Sequence, residues 1–341
     1  MKNFLRFVLF SFVLFSCKTD DLKHNKLITD KIQYDVSIKN TETDMDWWIQ
    51  NIEGPKRDKF TSLIFDAVKD NKLKIYDLNE REVTLENVLS NLFTFDTIQL
   101  QKNGKKNQTI DTIFITNSFS LNNINKFRFR EKWVFNEQTL MVTKQVDGFC
   151  PFLVTEISNN QPPIALPLFW VFPDTTQKAE ENNLFQITPK IQYDVTIRSD
   201  NAKNEWYADN IETSDREFFL NKIIEVASKG KLKVVDFFDK PLDKKQFNAL
   251  LHRKDTVLIE NPEDPGSFSS KVVNVDFDSR DIKKIRFIEE WKIDTKTFQL
   301  YKTVKAIGVV VEDREDNGNV RGYMPVFYIY FDESIKNVAN N

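Results

Sequence analysis

Thiols, imidazoles and glycines are scarce in this 341-residue chain, which holds two Cys, two His and eight Gly. Cys17 and Cys150 are too few for a disulfide framework. His24 and His252, with so few thiols beside them, exclude a His- or Cys-rich metal site. That argument does not reach an all-oxygen calcium or magnesium site, but no residue pattern calls for one, and neither a metal nor a cofactor is expected. Neither sign of charge dominates: 48 basic and 51 acidic residues leave a net charge of −3. The balance gives no general pull toward nucleic acid or an anionic membrane face. No Gly-rich phosphate loop follows a strand, and no nucleophile elbow or paired-Cys motif is present. The apolar run Phe7–Phe15 is far short of the roughly 20 residues a membrane-spanning helix needs.

Phenylalanine, in contrast, occurs 30 times. Many Phe and few Gly favour packed, regular structure, and the length suits two domains. Lys2 and Arg6 precede the short apolar run, which ends in Leu14-Phe15-Ser16-Cys17. Residues 1–16 therefore read as a signal peptide. The Ser-Cys ending resembles a bacterial lipobox, in which the thiol of Cys17 carries the lipid. Residues 17–30 then form a lipidated N-terminus and polar tether.

Lys31-Ile32-Gln33-Tyr34-Asp35-Val36-Ser37-Ile38 recurs as Lys190-Ile191-Gln192-Tyr193-Asp194-Val195-Thr196-Ile197. The same offset relates Trp47 to Trp206, Asn51-Ile52-Glu53 to Asn210-Ile211-Glu212, and Asp96-Thr97 to Asp255-Thr256. One residue is lost later, so Arg128-Phe129 meets Arg286-Phe287, and Trp133 meets Trp291. A repeat this long is a whole domain, not a solenoid unit. The expected organisation is repeat domain 1 at 31–173, a linker at 174–189, repeat domain 2 at 190–334 and a tail at 335–341. Each copy reads as a start strand, a helix (56–71 in the first), a short strand, a second helix (85–92 or 244–251) and a closing hairpin. The fold class expected is α+β: two tandem homologous domains, each a mostly antiparallel sheet with two helices and its own core.

The hairpin carries an anomaly. Phe127, Phe129, Glu131, Trp133 and Phe135 alternate onto one face, and so do Ile285, Phe287, Glu289, Trp291 and Ile293. A carboxylate sits inside each apolar row. The return strands place Lys144 and Lys302 on matching faces. A tight turn centred between Glu137 and Gln138 sets Glu131 opposite Lys144, and its counterpart sets Glu289 opposite Lys302. Directly opposed Cβ atoms lie about 5 Å apart, so a structural ion pair within each domain is expected. Glu131 and Glu289 as a glycosidase-like acid/base couple is the weaker alternative, because they sit at equivalent positions of different domains. No catalytic residue is assigned.

The closing strands, Leu166–Phe172 and Pro325–Phe331, carry large groups on both faces. Phe169, Trp170, Phe172, Phe327, Tyr328 and Tyr330 are the candidate interface, since such strands are covered by something. Trp47-Trp48 and Trp206-Tyr207 read as core rather than as sugar-stacking platforms. Lys102–Lys106 and Glu312–Asp316 read as solvated turns, and Cys150 as a buried thiol.

Arg128-Phe129-Arg130-Glu131-Lys132-Trp133-Val134-Phe135 and Pro167-Leu168-Phe169-Trp170-Val171-Phe172, with weaker echoes at 286–293 and 325–330, resemble the GldN (PorN) family of gliding motility and type IX secretion. The resemblance implies a non-enzymatic periplasmic protein that assembles with a lipoprotein partner into a ring beneath the outer membrane. Two departures stand out: the family has one domain where this chain has two, and this chain carries its own lipid signal. The expected function is an outer-membrane lipoprotein, facing the periplasm or the cell surface. It would act in assembly with other envelope proteins, secretion or motility components among them. The rival is a surface lipoprotein that binds glycan or nutrient through exposed aromatics.

Overall fold

The computed structural model describes residues 24–39, 52–93, 98–100, 111–113, 119–155, 164–177, 179–198, 211–315 and 318–331. Cys17, Trp47, Trp48, Trp206, Tyr207, Asp96-Thr97, Lys102–Lys106 and the tail at 335–341 lie outside them. The first half runs β1 (Asn25–Ser37), α1 (Gly54–Lys69), β2 (Ile75–Tyr76), β3 (Glu82–Val83), α2 (Leu85–Phe93), β4 (Ile98–Leu100), β5 (Asp111–Ile113), β6 (Ile124–Asn136), β7 (Val142–Thr155) and β8 (Ile164–Pro167). The second runs β9 (Leu184–Thr196), α3 (Thr213–Ser228), β10 (Lys233–Asp236), β11 (Pro241–Leu242), α4 (Lys244–Leu251), β12 (His252–Glu260), β13 (Phe268–Asp276), β14 (Ile282–Asp294), β15 (Leu300–Arg314) and β16 (Val320–Tyr330). All strand pairs are antiparallel. Mostly antiparallel sheet with four helices among the described residues is the architecture.

Local chemistry explains the helices. Pro55 opens α1, where a missing N–H costs nothing. Phe60, Ile64 and Val68 recur every fourth residue and are buried. Asn71 ends it with φ 56° and Gly230 ends α3 with φ 72°, the left-handed stop that these two residue types tolerate. The next amides, of Lys72 and Lys231, reach back to Ala67 and Val226 at 2.8 and 3.3 Å. In α4, Asp243 and Gln246 form a reciprocal capping box at 2.8 and 2.9 Å.

β1-β6-β7 and β9-β14-β15 are equivalent three-strand units. They join where β7 pairs β15, through Tyr301 opposite Gln145, Lys302 opposite Lys144 and Thr303 opposite Thr143. Lys144 and Lys302 are themselves equivalent residues, so a pseudo-two-fold axis passes between them. Along the path β1-β6-β7-β15-β14-β9 the outermost strands are β1 and β9. Their Tyr34 and Tyr193 hydroxyls nevertheless lie 3.2 Å apart, with rings stacked at 5.8 Å and 19°. The path therefore curls until its ends meet.

This geometry corrects the expectation of two separate cores. A single continuous apolar core contains Phe60, Phe127, Trp133 and Phe149 of the first half with Phe219, Phe247, Phe287 and Trp291 of the second. The helices α1 and α3 also cross over: Phe219 of α3 packs edge-on against Phe135 of β6 at 5.6 Å. Lys59 of α1 lies over the Phe185 ring of β9 at 4.5 Å, and Lys26 of β1 lies over the Phe218 ring of α3 at 5.5 Å. Boundaries shift too. β1 begins at Asn25, inside the stretch read as tether, and β9 begins at Leu184, inside the stretch read as linker. Both strands are long enough to reach the hairpin ends, where Asn25 faces Asn136 and Leu184 faces Asp294.

Candidate functional site

The hairpin alternation is as the pattern predicts, but its register is two residues further along. Phe135 faces Val142, Trp133 faces Lys144, and Glu131 faces Val146. In the second half, Trp291 faces Lys302 and Glu289 faces Val304. The turn is the cause. Asn136 Oδ1 accepts from the amides of Gln138 and Thr139 at 3.0 and 2.7 Å, and Leu140 takes φ 59°. Asp294 and Phe298, with φ 60°, repeat the device. A loop from Glu137 to Leu140 replaces the tight turn expected.

The ion pairs consequently form between halves, not within them. Lys144 Nζ lies 2.7 Å from Glu289 Oε1, and Lys302 Nζ lies 2.7 Å from Glu131 Oε1. All four side chains are fully buried. Glu131 Oε2 accepts from Tyr34 Oη at 2.5 Å and from Trp133 Nε1 at 2.7 Å. Glu289 Oε2 accepts from Tyr193 Oη and Trp291 Nε1 at the same distances. Lys144 Nζ donates to Tyr193 Oη at 3.2 Å, and Lys302 Nζ to Tyr34 Oη at 3.3 Å. Each ammonium also rests on a ring face, Lys144 on Phe287 at 3.0 Å and Lys302 on Phe129 at 3.1 Å. Cation–π attraction of this kind is strongest where water is absent. Trp133 meets Phe287 edge-on at 5.1 Å, and Phe129 meets Trp291 likewise.

Burial decides the electrostatics. It pushes the Lys302 ammonium down to about 8, against the opposing attraction of Glu131, and lowers Lys144 for the same reason. Burial pulls Glu131 upward, but Lys302 and then Lys144 outweigh it, so the carboxyl stays below its ordinary range. Tyr34 and Tyr193 are raised well above 10, first by burial and then by the carboxylates they face. The result is a dry, closed constellation in which each charge has an opposite charge. The tyrosines and the indole donors were not picked out from the sequence as members of it. Tyr34 and Tyr193 do stand in the best-matched octapeptide of the repeat, and that was the available signal.

A second matched pair lies nearer the surface. Arg128 grips Asp35 through Nε and Nη2 at 2.7 and 3.1 Å. Arg286 grips Asp194 at 2.6 and 2.9 Å. Each is a two-point guanidinium–carboxylate contact that ties an outer strand to its hairpin.

The closing strands differ from the expectation that they form an interface. Phe169, Trp170, Phe327 and Tyr328 are buried within the chain, and Phe172 and Tyr330 are half-buried. β16 is hydrogen-bonded on both edges, to β15 and to β10. In the first half only β8 is regular strand, and Trp170 and Val171 make single bridges to Tyr76 and Phe149. Arg130 covers Trp170 and Phe172 at 4.9 and 5.0 Å. Tyr328 lies against Gly308, where a Cβ would come within 2.7 Å of the ring. Intramolecular partners thus occupy the faces that the pattern left open.

Trp133, Trp170 and Trp291 are buried, so they offer no stacking platform. Cys150 is buried, and desolvation pushes its thiol up to about 12. Among the described residues, no three His, Cys, Asp or Glu side chains are placed to hold a metal ion, and no helix is long and apolar enough to cross a membrane. No curated protein matches the chain. A family profile described as "Gliding motility associated protein GldN" matches it twice, at residues 50–209 and 190–341.

Proposed function

Because the chain belongs to the GldN family of gliding-motility-associated proteins, we propose that it is a non-enzymatic assembly component of the cell envelope. It acts with motility and type IX secretion proteins, held at the outer membrane by a lipid on Cys17. The observation that carries this reading is the closed network around Glu131 and Glu289. The best candidate acid/base groups are fully buried and bonded to lysine, tyrosine and indole. They do not open onto a cleft where substrate could reach them, as general acid–base chemistry requires. What the network does instead is tie the two repeats together through reciprocal Lys–Glu pairs, a property suited to a scaffold part.

Two measurements test the proposal. Crosslinking in cells followed by affinity capture should recover gliding or secretion components, and recovery of none would count against the assembly role. A lipid-sized mass increment on the mature N-terminus should vanish in Cys17→Ser. An unmodified Cys17 in the native protein would remove the anchor.

A further inference from the structure

The turn between β10 and β11 has a counterpart between β2 and β3, and the two are built alike. Asp77 Oδ1 accepts from the amides of Asn79 and Arg81 at 2.8 and 2.9 Å. Asp236 Oδ1 accepts from the amides of Phe238 and Lys240, both at 2.9 Å. Glu80 and Asp239 take φ 65° and 60°. The turn therefore closes as well on Asn79 as on Phe238, and folding makes no demand for the phenylalanine. Yet Phe238 is 84% exposed, more than any other large apolar side chain among the described residues.

Charge has diverged along the same stretch. Residues 70–86 hold three bases and five acids, whereas 229–245 hold six lysines and three acids. In the first half Lys72 pairs with Asp70 and Lys74 with Glu82. In the second, Lys231, Lys240, Lys244 and Lys245 are exposed and form no ion pair among the described residues. The acids nearby are committed elsewhere. Asp236 caps the turn, Asp243 caps α4 through the Gln246 amide, and Glu225 of α3 pairs with Lys229 and Lys222. Asp239 is left over on the hairpin. At roughly 3.3 Å per residue, Lys240 and Lys244 lie within about 20 Å of Phe238. A Cβ on Gly230 would touch that of Lys244 at 3.8 Å, so the loop carrying Lys229 and Lys231 lies against the start of α4.

Unpaired lysines around an exposed aromatic ring fit an anionic lipid surface. One ring on a convex turn is too little area for the packed core of a protein interface. A headgroup layer takes up such a ring without a matching pocket. We propose that the β10–β11 hairpin is a membrane contact: Phe238 enters the headgroup layer, and the surrounding lysines meet its anionic lipids. This goes beyond the assembly role proposed above and does not depend on the lipid at Cys17.

Sedimentation of residues 18–341 with vesicles tests it. That chain keeps every described residue and lacks both the apolar run at 7–15 and the lipid-bearing thiol. It should bind phosphatidylcholine vesicles containing about one-third phosphatidylglycerol, and bind pure phosphatidylcholine far less. Binding should weaken as salt rises. Phe238→Asn, the residue of the first half, should weaken binding about fivefold or more and leave its salt dependence intact. Lys244→Gln with Lys245→Glu should weaken it about tenfold or more and flatten the salt dependence. Thermal midpoints near that of the native chain are expected for both; should either shift, Phe238→Ser and Lys240→Glu are read in their place. Absence of vesicle binding, equal binding to the two vesicle types, or binding that either change leaves untouched overturns the proposal. Lysine-dependent retention on polyglutamate without vesicle binding also overturns it, and gives the surface to an acidic protein. The Cys17 lipid and capture of motility proteins in cells are separate readouts, so either idea can fail alone.

Discussion

Lys144 and Lys302 are direct register partners across the seam between β7 and β15, and each reaches to a glutamate of the opposite half. Two like charges at the centre of a buried seam are tolerable only because two carboxylates flank them. The arrangement is reciprocal, so neither half can satisfy its own lysine alone.

The exchange of partners can be read by double-mutant cycles. Lys144→Met should cost roughly 3–5 kcal/mol, the range for stranding a buried charge. Glu289→Gln should recover much of that loss, and Glu131→Gln should recover less. Urea denaturation of the six chains checks this. A stronger coupling of Lys144 to Glu131 than to Glu289 would reject the crossed pairing.

The lysines also predict a pH response. Lys302 loses its proton at about 8 in the folded chain, against the ordinary 10.5. Between those values the unfolded chain binds more protons, so its contribution to unfolding free energy climbs with pH. Urea midpoints of the native chain should therefore rise relative to Lys302→Met from pH 8 toward 10. An identical pH profile for the two chains would contradict the burial argument. Glu131 acts at the other end of the scale. Its stabilising contribution is complete above 4.5 and is lost as pH falls through its lowered value, so Glu131→Gln should flatten the acid limb.

Gly308 sits under the Tyr328 ring, with no room for a methyl group. Gly308→Ala should destabilise by about 1–3 kcal/mol, the usual cost of overpacking. Tyr328→Leu should relieve part of that cost in the double variant. Thermal melting of the native chain, the two single variants and the double variant measures it.

Cys150 should be silent toward thiol reagents. With Cys17 replaced by Ser, the folded chain should react with a disulfide reagent at pH 8 only at the rate of global unfolding. Full reaction should appear in denaturant. Burst labelling under native conditions would show the thiol to be reachable, against its burial and its raised pKa.

Helical spacing in Phe60, Ile64 and Val68, and alternation in Phe127 through Phe135, were legible because local periodicity reports directly which face is buried. The register was not. It depends on Leu140 and Phe298 adopting left-handed backbone, which neither residue type advertises. The partners of Glu131 and Glu289 were hidden for a different reason. Two near-identical halves offer each glutamate two equivalent lysines, and only the three-dimensional path decides between them. The cover over Trp170 was equally hidden, since Arg130 reaches it from a strand about forty residues away in sequence.

The seam's flanks have diverged in a way that matters. On one side the helix gives the lysine and the strand the ring, as Lys59 and Phe185; on the other the helix gives the ring and the strand the lysine, as Phe218 and Lys26. A symmetric pair of first halves would press Lys26 against Lys59. A pair of second halves would set Phe185 against Phe218 and forgo both cations. Each half is thus a poor mate for its own twin and a good one for its sibling. Two copies of either half alone, closed on the same axis, would carry the same mismatch on both flanks.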